Sequence, residues 1–334
     1  MLVSIIIPVF NTEEFFLRRC LNPFLMHSDP RIEVIIVDDG SNSATSRLLD
    51  AIADESKNYL KVIHQENGGQ NAARNSGIDA SRCEYLEFLD SDDWIDWEYQ
   101  VKVLDLLENV HPDLLSVDCI CEDERGQRIA FKSLDSGYRG ELNKKEVLQN
   151  CGPLWLQIIR KELLKSSLGK LPGGSIRIGE DFAAVVPLII KSRSLLGSGL
   201  PLYHYVSRDT SIVHAAGKEH LHDIVDAFQL LMSLLTAEEK ISYKSELEWL
   251  AVKHILVFGI GRVIQQDGAN STIIPCMQKY VNTLFPDWKQ NPYRRADPFA
   301  KTLKCSLLLN HHYYVFKILS MIRVIIYRLK KLQV

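Results

Sequence analysis

The sequence predicts an α/β fold: a mostly parallel sheet flanked by helices, followed by a helical C-terminal region. Three observations predict it. Short Ile/Val-rich runs alternate with stretches of helical spacing over the first third of the chain, two of those runs are almost continuously apolar, and from residue 217 onward the apolar spacing becomes helical throughout. A run apolar at nearly every position fits a strand covered on both faces, as parallel sheets require.

The first run, VSIIIPVF (3–10), reads as a central strand, followed by a helix over TEEFFLRRCLNPFL (12–25). IEVIIVDD (32–39) is the second strand and SATSRLLDAIADESK (43–57) the second helix. LKVIHQ (60–65), the helix QNAARNSGIDAS (70–81) and the strand EYLEFLD (84–90) continue the alternation. A helix over 97–109 precedes a hairpin in LLSVDCICEDERGQRIAF, its turn near Glu124–Gly126. Cys119 and Cys121 lie two apart, which on a strand places both on one face; they read as core packing. Then come GPLWLQIIRKELL, a Gly/Pro-rich loop, a helix over about 181–192 and a strand in PLYHYV. The predicted boundary runs between a domain at 1–215 and a helical region at 216–334.

Composition narrows the function. With 46% apolar residues and 334 positions the chain can bury a sizeable core, and a net charge of −3 gives nucleic acid no global attraction. Seven scattered cysteines, an odd number, suggest reduced thiols and a cytoplasmic protein. The opening run has no basic leader and is too short to cross a bilayer.

Ligands of parallel sheets bind beyond the carboxyl ends of the strands, and the polar clusters fall there: NTEE, DDGS, NGGQ and DSDD follow the four strands in turn. In DSDD (90–93), carboxylates crowd at one turn. They fit a hard divalent ion, Mg²⁺ or Mn²⁺, that takes oxygen ligands and keeps positions open for phosphates. The other reading is a helix cap by Asp92 or Asp93 ahead of Trp94. Asp38 and Asp39 end a buried strand, where a carboxylate could accept an N–H of a base, or where Ser41 and Ser43 could begin the next helix. NGGQNAARN brings two glycines just before a helix and puts Arg74 one turn inside, able to reach a phosphate or a carboxylate.

Together SIIIPVFNTEEFFLRRCL, VIIVDDGSNSAT, HQENGGQNAARNSGI, YLEFLDSDDW and IGEDFA resemble glycosyltransferase family 2, the inverting nucleotide-sugar transferases with a GT-A fold, over about residues 3–215. The resemblance implies a nucleotide-diphosphate sugar, a UDP-sugar by the habit of such folds, lying across these loops. It implies that Pro8, Phe10 and Asp39 hold the base, that Asn67 and Arg74 support the nucleotide, that Asp92 is the metal ligand, and that Asp90 serves the ribose or the water shell of the metal. It implies Asp181 as general base, with Glu180 beside it or facing the acceptor. Trp155 could stack on a sugar or pack in the core, and Gln157 stands where the family usually shows Lys. His204 and His214 are further metal-ligand candidates, with polar loop or core roles as the alternative. A nucleotidyltransferase or a non-catalytic sugar-nucleotide-binding protein are the competing readings; the first loop is acidic rather than basic and the carboxylates at 90, 92 and 181 are intact, which disfavours both.

After Asp297 the chain has no acidic residue but seven Lys or Arg, and 314–329 places apolar and basic residues on different faces of one helix. Such a helix suits a membrane surface, or a last helix docked on the core. The surface reading fits an acceptor on a lipid, such as an undecaprenyl-diphosphate-linked oligosaccharide of bacterial surface-polysaccharide assembly (O-antigen or capsule), at the inner face of the cell membrane.

Overall fold

The computed structural model describes residues 1–56, 60–132, 140–173, 176–208 and 217–331, and the side chains of all these except 131–132 and 324–331. The chain divides into two compact units, Met1–Gly174 with Glu180–Ser211, and Ser175–Gly179 with Ile212–Val334.

The first unit is built on an eight-stranded sheet. Its strands are β1 (Val3–Val9), β2 (Ile32–Asp39), β3 (Leu60–Gln65), β4 (Tyr85–Phe88), β6 (Leu114–Ser116), β9 (Gly140–Glu141), β10 (Gln157–Arg160) and β11 (Leu195–Gly197), in the order β3-β2-β1-β4-β10-β6-β11-β9. β1, β2, β3 and β4 run parallel, and β10 enters antiparallel to β4 and β6. Every residue of β1 and β2 is buried, which is why β1 is apolar apart from Ser4, and β2 apart from Glu33 and the two aspartates at its end. Between the strands come α1 (Glu14–Met26), α2 (Ser43–Glu55), α3 (Gln70–Ala80), α4 (Trp97–Val110), α5 (Lys144–Gln149), α6 (Lys161–Leu168) and α7 (Glu180–Lys191). Gly77 lets α3 press onto the sheet: a Cβ there would meet Ile6 Cγ2 at 2.4 Å.

The chain winds from β1 outward to β3, then returns to β4 on the other side of β1. Such a reversal opens a crevice at the carboxyl ends of the strands on either side of it. Pairing with β4 ends at Ile6–Phe88, so Pro8 stands past it, where a missing N–H costs least.

A second, four-stranded sheet, β5-β12-β7-β8, is absent from the sequence expectation as a separate layer: β5 (Trp94–Ile95), β7 (Cys119–Glu122), β8 (Arg128–Lys132) and β12 (Tyr203–Val206). The hairpin forms between β7 and β8, its turn closed by Asp123 and Gln127, but the run before it divides at Val117–Asp118, sending β6 to one sheet and β7 to the other. Cys119 and Cys121 are both buried.

α2 begins at Ser43, one of the two serines expected to open it, and its cap is Asn42, whose side chain accepts from the Ala44 and Thr45 N–H groups. One capping expectation is corrected. α4 begins at Trp97 and is capped by Asp96. Trp94 lies on a strand, so neither Asp92 nor Asp93 caps that helix.

The second unit is helical: α8 (Asp223–Leu234), α9 (Ala237–Ser242), α10 (Lys244–Ala251), a π-helical stretch (Val252–Gly259), α11 (Ile260–Gln266), α12 (Ile273–Leu284), α13 (Tyr293–Ala296), α14 (Leu303–Leu309) and α15 (Tyr313–Lys331). Among the described residues no helix is long and apolar enough to cross a membrane.

Glu87, on the central strand β4, is 2% exposed, and burial pushes its carboxyl up to about 7. Gln100 Nε2 donates to Glu87 Oε2 at 3.0 Å, while Gln100 Oε1 is buried without a partner. A protonated Glu87 satisfies both groups by donating to that oxygen. Because its folded pKa is raised, the contribution of Glu87 is fully present below the unfolded carboxylate value and is lost as pH rises through about 7. Glu87→Gln supplies the missing donor at every pH. It should leave stability near wild type at pH 5 and raise it at pH 8, by on the order of 3 kcal/mol. Paired urea titrations at the two pH values check this; an equal effect at both would contradict it.

Candidate active site

The loops after β1 and β2 are tied together first. Asn11 takes a left-handed φ of 52°, its N–H donates to Ser41 Oγ at 3.0 Å, and its Oδ1 accepts the Asn42 N–H at 2.7 Å. Phe10 stands beside this junction, 54% exposed, an apolar ring that the fold leaves uncovered. Asp38 accepts from Ser41 N–H, Ser46 Oγ and His64 Nδ1. Burial pushes its carboxyl up, but these bonds outweigh that and hold it below the ordinary value. Asp39, 3% exposed, accepts the Gly68 and Gly69 N–H groups at 2.9 and 2.8 Å and Gln65 Nε2 at 2.7 Å. Asn67 Nδ2 donates to the Asp39 carbonyl at 2.9 Å, and a Cβ on Gly40 (φ +74°) would stand 2.8 Å from the Asn67 nitrogen. Asp39 and Asn67 thus shape the glycine loop.

Arg74 is the centre of the site. It is 1% exposed on α3. Its Nη2 donates to Asp90 Oδ1 at 2.9 Å; its Nη1 donates to Asp181 Oδ1 at 3.2 Å and to Asn71 Oδ1 at 3.1 Å. Burial works against its charge, but Asp90 and Asp181 hold its pKa above the ordinary arginine value. One guanidinium therefore joins the turn after β4 to the first turn of α7. Gln70 Nε2 adds a second donor to Asp90 Oδ1 at 2.8 Å.

Of the crowded carboxylates, Asp93 is structural. It is 2% exposed, accepting the Tyr203 hydroxyl at 2.7 Å and the Val206 N–H at 2.7 Å, while the Asp90 N–H donates to Tyr203 Oη at 3.1 Å. β12 is thereby buttoned to the acidic turn. Burial pushes the Asp93 carboxyl well up, with Asp92 and Asp90 adding to it. Asp92 is more open. Burial and then Asp90 raise its pKa against the pull of Arg208, whose Nη1 donates to Asp92 Oδ2 at 3.2 Å. Arg208 also donates to Glu13 Oε1 at 2.7 Å and lies 4.3 Å over the Phe16 ring. Sequence reasoning passed over Arg208; its only signal was a cation placed just beyond a predicted strand.

Asp181 Oδ2 accepts the Leu154 N–H at 3.3 Å. Burial raises the Asp181 carboxyl, outweighing Arg74. Glu180 beside it is pushed up to about 7 by burial and by Asp181. Trp155 is stacked on Tyr203 and Tyr205, with centroids 4.3 and 5.6 Å apart, so both expected uses of its ring begin from a packed aromatic column. Gln157 is 1% exposed and accepts from Ser116 Oγ at 2.8 Å. His204 packs away from the acidic turn: Nδ1 lies 2.8 Å from Glu122 Oε1 and the ring stacks on Trp94 at 3.6 Å. His214 lies outside the described residues.

Among the described residues no three His, Cys, Asp or Glu side chains converge into a ready metal site. Asp92 and Asp90 nonetheless offer hard carboxylate oxygens at one turn, and Asp92 already draws a cation, the Arg208 guanidinium. That donor set fits Mg²⁺ or Mn²⁺, which one or two carboxylates hold together with substrate phosphates and water.

A sequence model of glycosyl transferase family 2 matches residues 4–164. The Bacillus subtilis protein EpsH is 29% identical over 259 residues, covering 75% of this chain and 74% of EpsH. Glycosyltransferase GlyA of Streptococcus pneumoniae is 27% identical over 243 residues, 70% of this chain but only 34% of GlyA. In fold, the chain is similar to residues 1–349 of S. aureus TarS, crystallised with UDP-GlcNAc: TM-score 0.64 at 19% identity, over 95% of this chain and 90% of that one.

Breaking a buried ion pair by deleting one partner strands the other charge. Arg74→Met should therefore destabilise the protein by about 3 kcal/mol, read as a lower urea midpoint. An unchanged midpoint would show that Asp90 and Asp181 do not depend on it.

Proposed function

Starting from a chain that belongs to glycosyltransferase family 2, and is therefore a glycosyltransferase, we propose that it moves one sugar from a UDP-sugar to a hydroxyl of a lipid-linked oligosaccharide, with inversion at the anomeric carbon. The observation that carries this reading is the Arg74 bridge, which ties the acidic turn at Asp90 to the helix start at Asp181. In this reading that bridge brings the donor loop and the base to one place. The uridine nucleotide is favoured by the similarity to TarS, itself crystallised with UDP-GlcNAc and with UDP.

In this reading Phe10 and Pro8 flank the base, and Asp39 and Asn67 hold the glycine loop that faces it. Asp92 is the ligand that would hold Mn²⁺ or Mg²⁺ on the diphosphate, with Asp90 turned to the ribose or to metal-bound water. When bound, that ion neutralises the charge that grows on the leaving diphosphate. Asp181 takes the proton of the acceptor hydroxyl as its oxygen attacks the anomeric carbon in line. The bond from that carbon to the diphosphate oxygen breaks, and UDP departs with the electron pair. Glu180 lies next to the base, on the acceptor side. The lipid-linked acceptor assigns the enzyme to surface-polysaccharide assembly at the inner face of the membrane, as a peripheral protein.

Two variants test the roles. Asp92→Ala should abolish transfer and the manganese-dependent heat-shift given by UDP-sugars. Asp181→Asn should keep that heat-shift and lose turnover by about 10²–10⁴-fold; near-wild-type turnover would remove Asp181 as base. Because burial raises the Asp181 carboxyl, the base is charged only at higher pH than an ordinary aspartate. The kcat/KM profile should therefore fall on its acid side at a higher pH than a free aspartate would give, and an acid limb at or below the free-aspartate value would contradict the assignment.

A further inference from the structure

Among the described residues, the last helix of the second unit carries an apolar face whose side chains stay largely exposed. Phe316 is 6% exposed and packs α15 onto the unit: a Cβ on Gly261 of α11 would lie 3.4 Å from both the Phe316 ring and Leu308. Gln278 Nε2 donates to Tyr313 Oη at 2.8 Å and Tyr314 Oη donates to Asn270 Oδ1 at 2.7 Å, which pin the start of the helix. On the other side of the helix, Tyr314, Val315, Ile318, Leu319, Met321 and Ile322 are 41–61% exposed. At about 100° per residue these six fill one continuous arc, and the sequence repeats the same spacing at Ile325, Ile326 and Leu329.

The edges of the arc are basic. By helical spacing Lys317 falls on one border and Arg323 on the other. Lysine and arginine at the borders of an apolar face can lay their stems along it and raise their charges to the headgroups. Lys304 joins this set. Its Nζ lies 4.5 Å over the Phe258 ring, itself 42% exposed. Burial, then the nearby Arg323, lowers the Lys304 pKa. Two cations have thus been brought together on a segment with no acidic residue after Asp297, and an anion is the group that would relieve them. The same fact disfavours a second copy of the chain as the cover. A two-fold contact through this face brings like-charged borders together with no carboxylate from the segment to pair them.

We propose that α15 lies in the plane of an anionic lipid bilayer, its six exposed apolar side chains in the acyl boundary and Lys304, Lys317 and Arg323 against lipid phosphates. The proposal rests on the reading of a lipid-borne acceptor only for its purpose. Binding to vesicles is read without acceptor or donor, so the two can fail separately.

The test is co-sedimentation of the full chain with vesicles of phosphatidylcholine alone or mixed with phosphatidylglycerol, at low and high salt. The chain should pellet with the phosphatidylglycerol vesicles and be released by salt. Ile318→Glu with Ile322→Glu should cut binding by about tenfold or more, and Lys304→Gln with Arg323→Gln should abolish the preference for the anionic lipid. All four positions lie at or near the surface, so melting by circular dichroism should stay at the wild-type temperature, and sugar transfer to a soluble acceptor should persist. Failure of the wild-type chain to pellet with either vesicle would overturn the proposal. So would a wild-type dimer in solution that the Ile318→Glu, Ile322→Glu variant converts to monomer, because the face would then be covered by a second copy.

Discussion

A single buried guanidinium fixes the rim of the sheet in the first unit. Arg74 cannot be hydrated where it lies, so its charge must be met by carboxylates, and the two that meet it come from positions 16 and 107 residues away in sequence. The turn after β4 and the start of α7 are held in register by that requirement. Burying a charge costs several kcal/mol unless it is paired and hydrogen-bonded, so neither Asp90 nor Asp181 can move freely without leaving Arg74 stranded. Gly77, pressed against Ile6, lets the helix carrying Arg74 lie close enough to the sheet for this to happen.

The remaining acids divide by what satisfies them. Asp38, Asp39 and Asp93 are turned inward and supplied with hydroxyl, backbone or amide donors; they hold loops. Asp92 and Asp181 keep part of their surface open and are met mainly by arginine, which a cation or a proton-bearing substrate can replace or accompany. The carboxylates that looked alike in the sequence are thus separated by their donors rather than by their spacing.

Much of the fold was legible because parallel strands buried on both faces must be largely apolar, as β1 is apart from Ser4 and as β2 is over residues 34–37. The rim was legible for the same reason: polar clusters directly after such strands have nowhere else to go. What could not be read was set by long-range pairing. Nothing local distinguishes Trp94–Ile95 as a strand from the start of a helix; its partner is β12, more than a hundred residues on. That pairing moves the helix start to Trp97 and hands the cap to Asp96. The division of one apolar run into β6 and β7, the Arg208 contact with Asp92, and the Glu122–His204–Trp94 cluster depend on the same second sheet, whose strands come from three separate regions of the chain. On α15 the amphipathic pattern was legible from the spacing, but only packing through Phe316 decides which side is left outside.

The central claim is that the Asp90 turn and Asp181 face one sugar nucleotide from two sides, across Arg74. A crystal structure of the chain with manganese and an unreactive UDP-sugar analogue tests it most directly. The account predicts the diphosphate beside Asp92 and the anomeric carbon turned toward the Asp181 carboxylate, with Arg74 still bound to Asp90. A nucleotide seated elsewhere, or an anomeric carbon turned away from Asp181 with the Arg74 contacts broken, would contradict it.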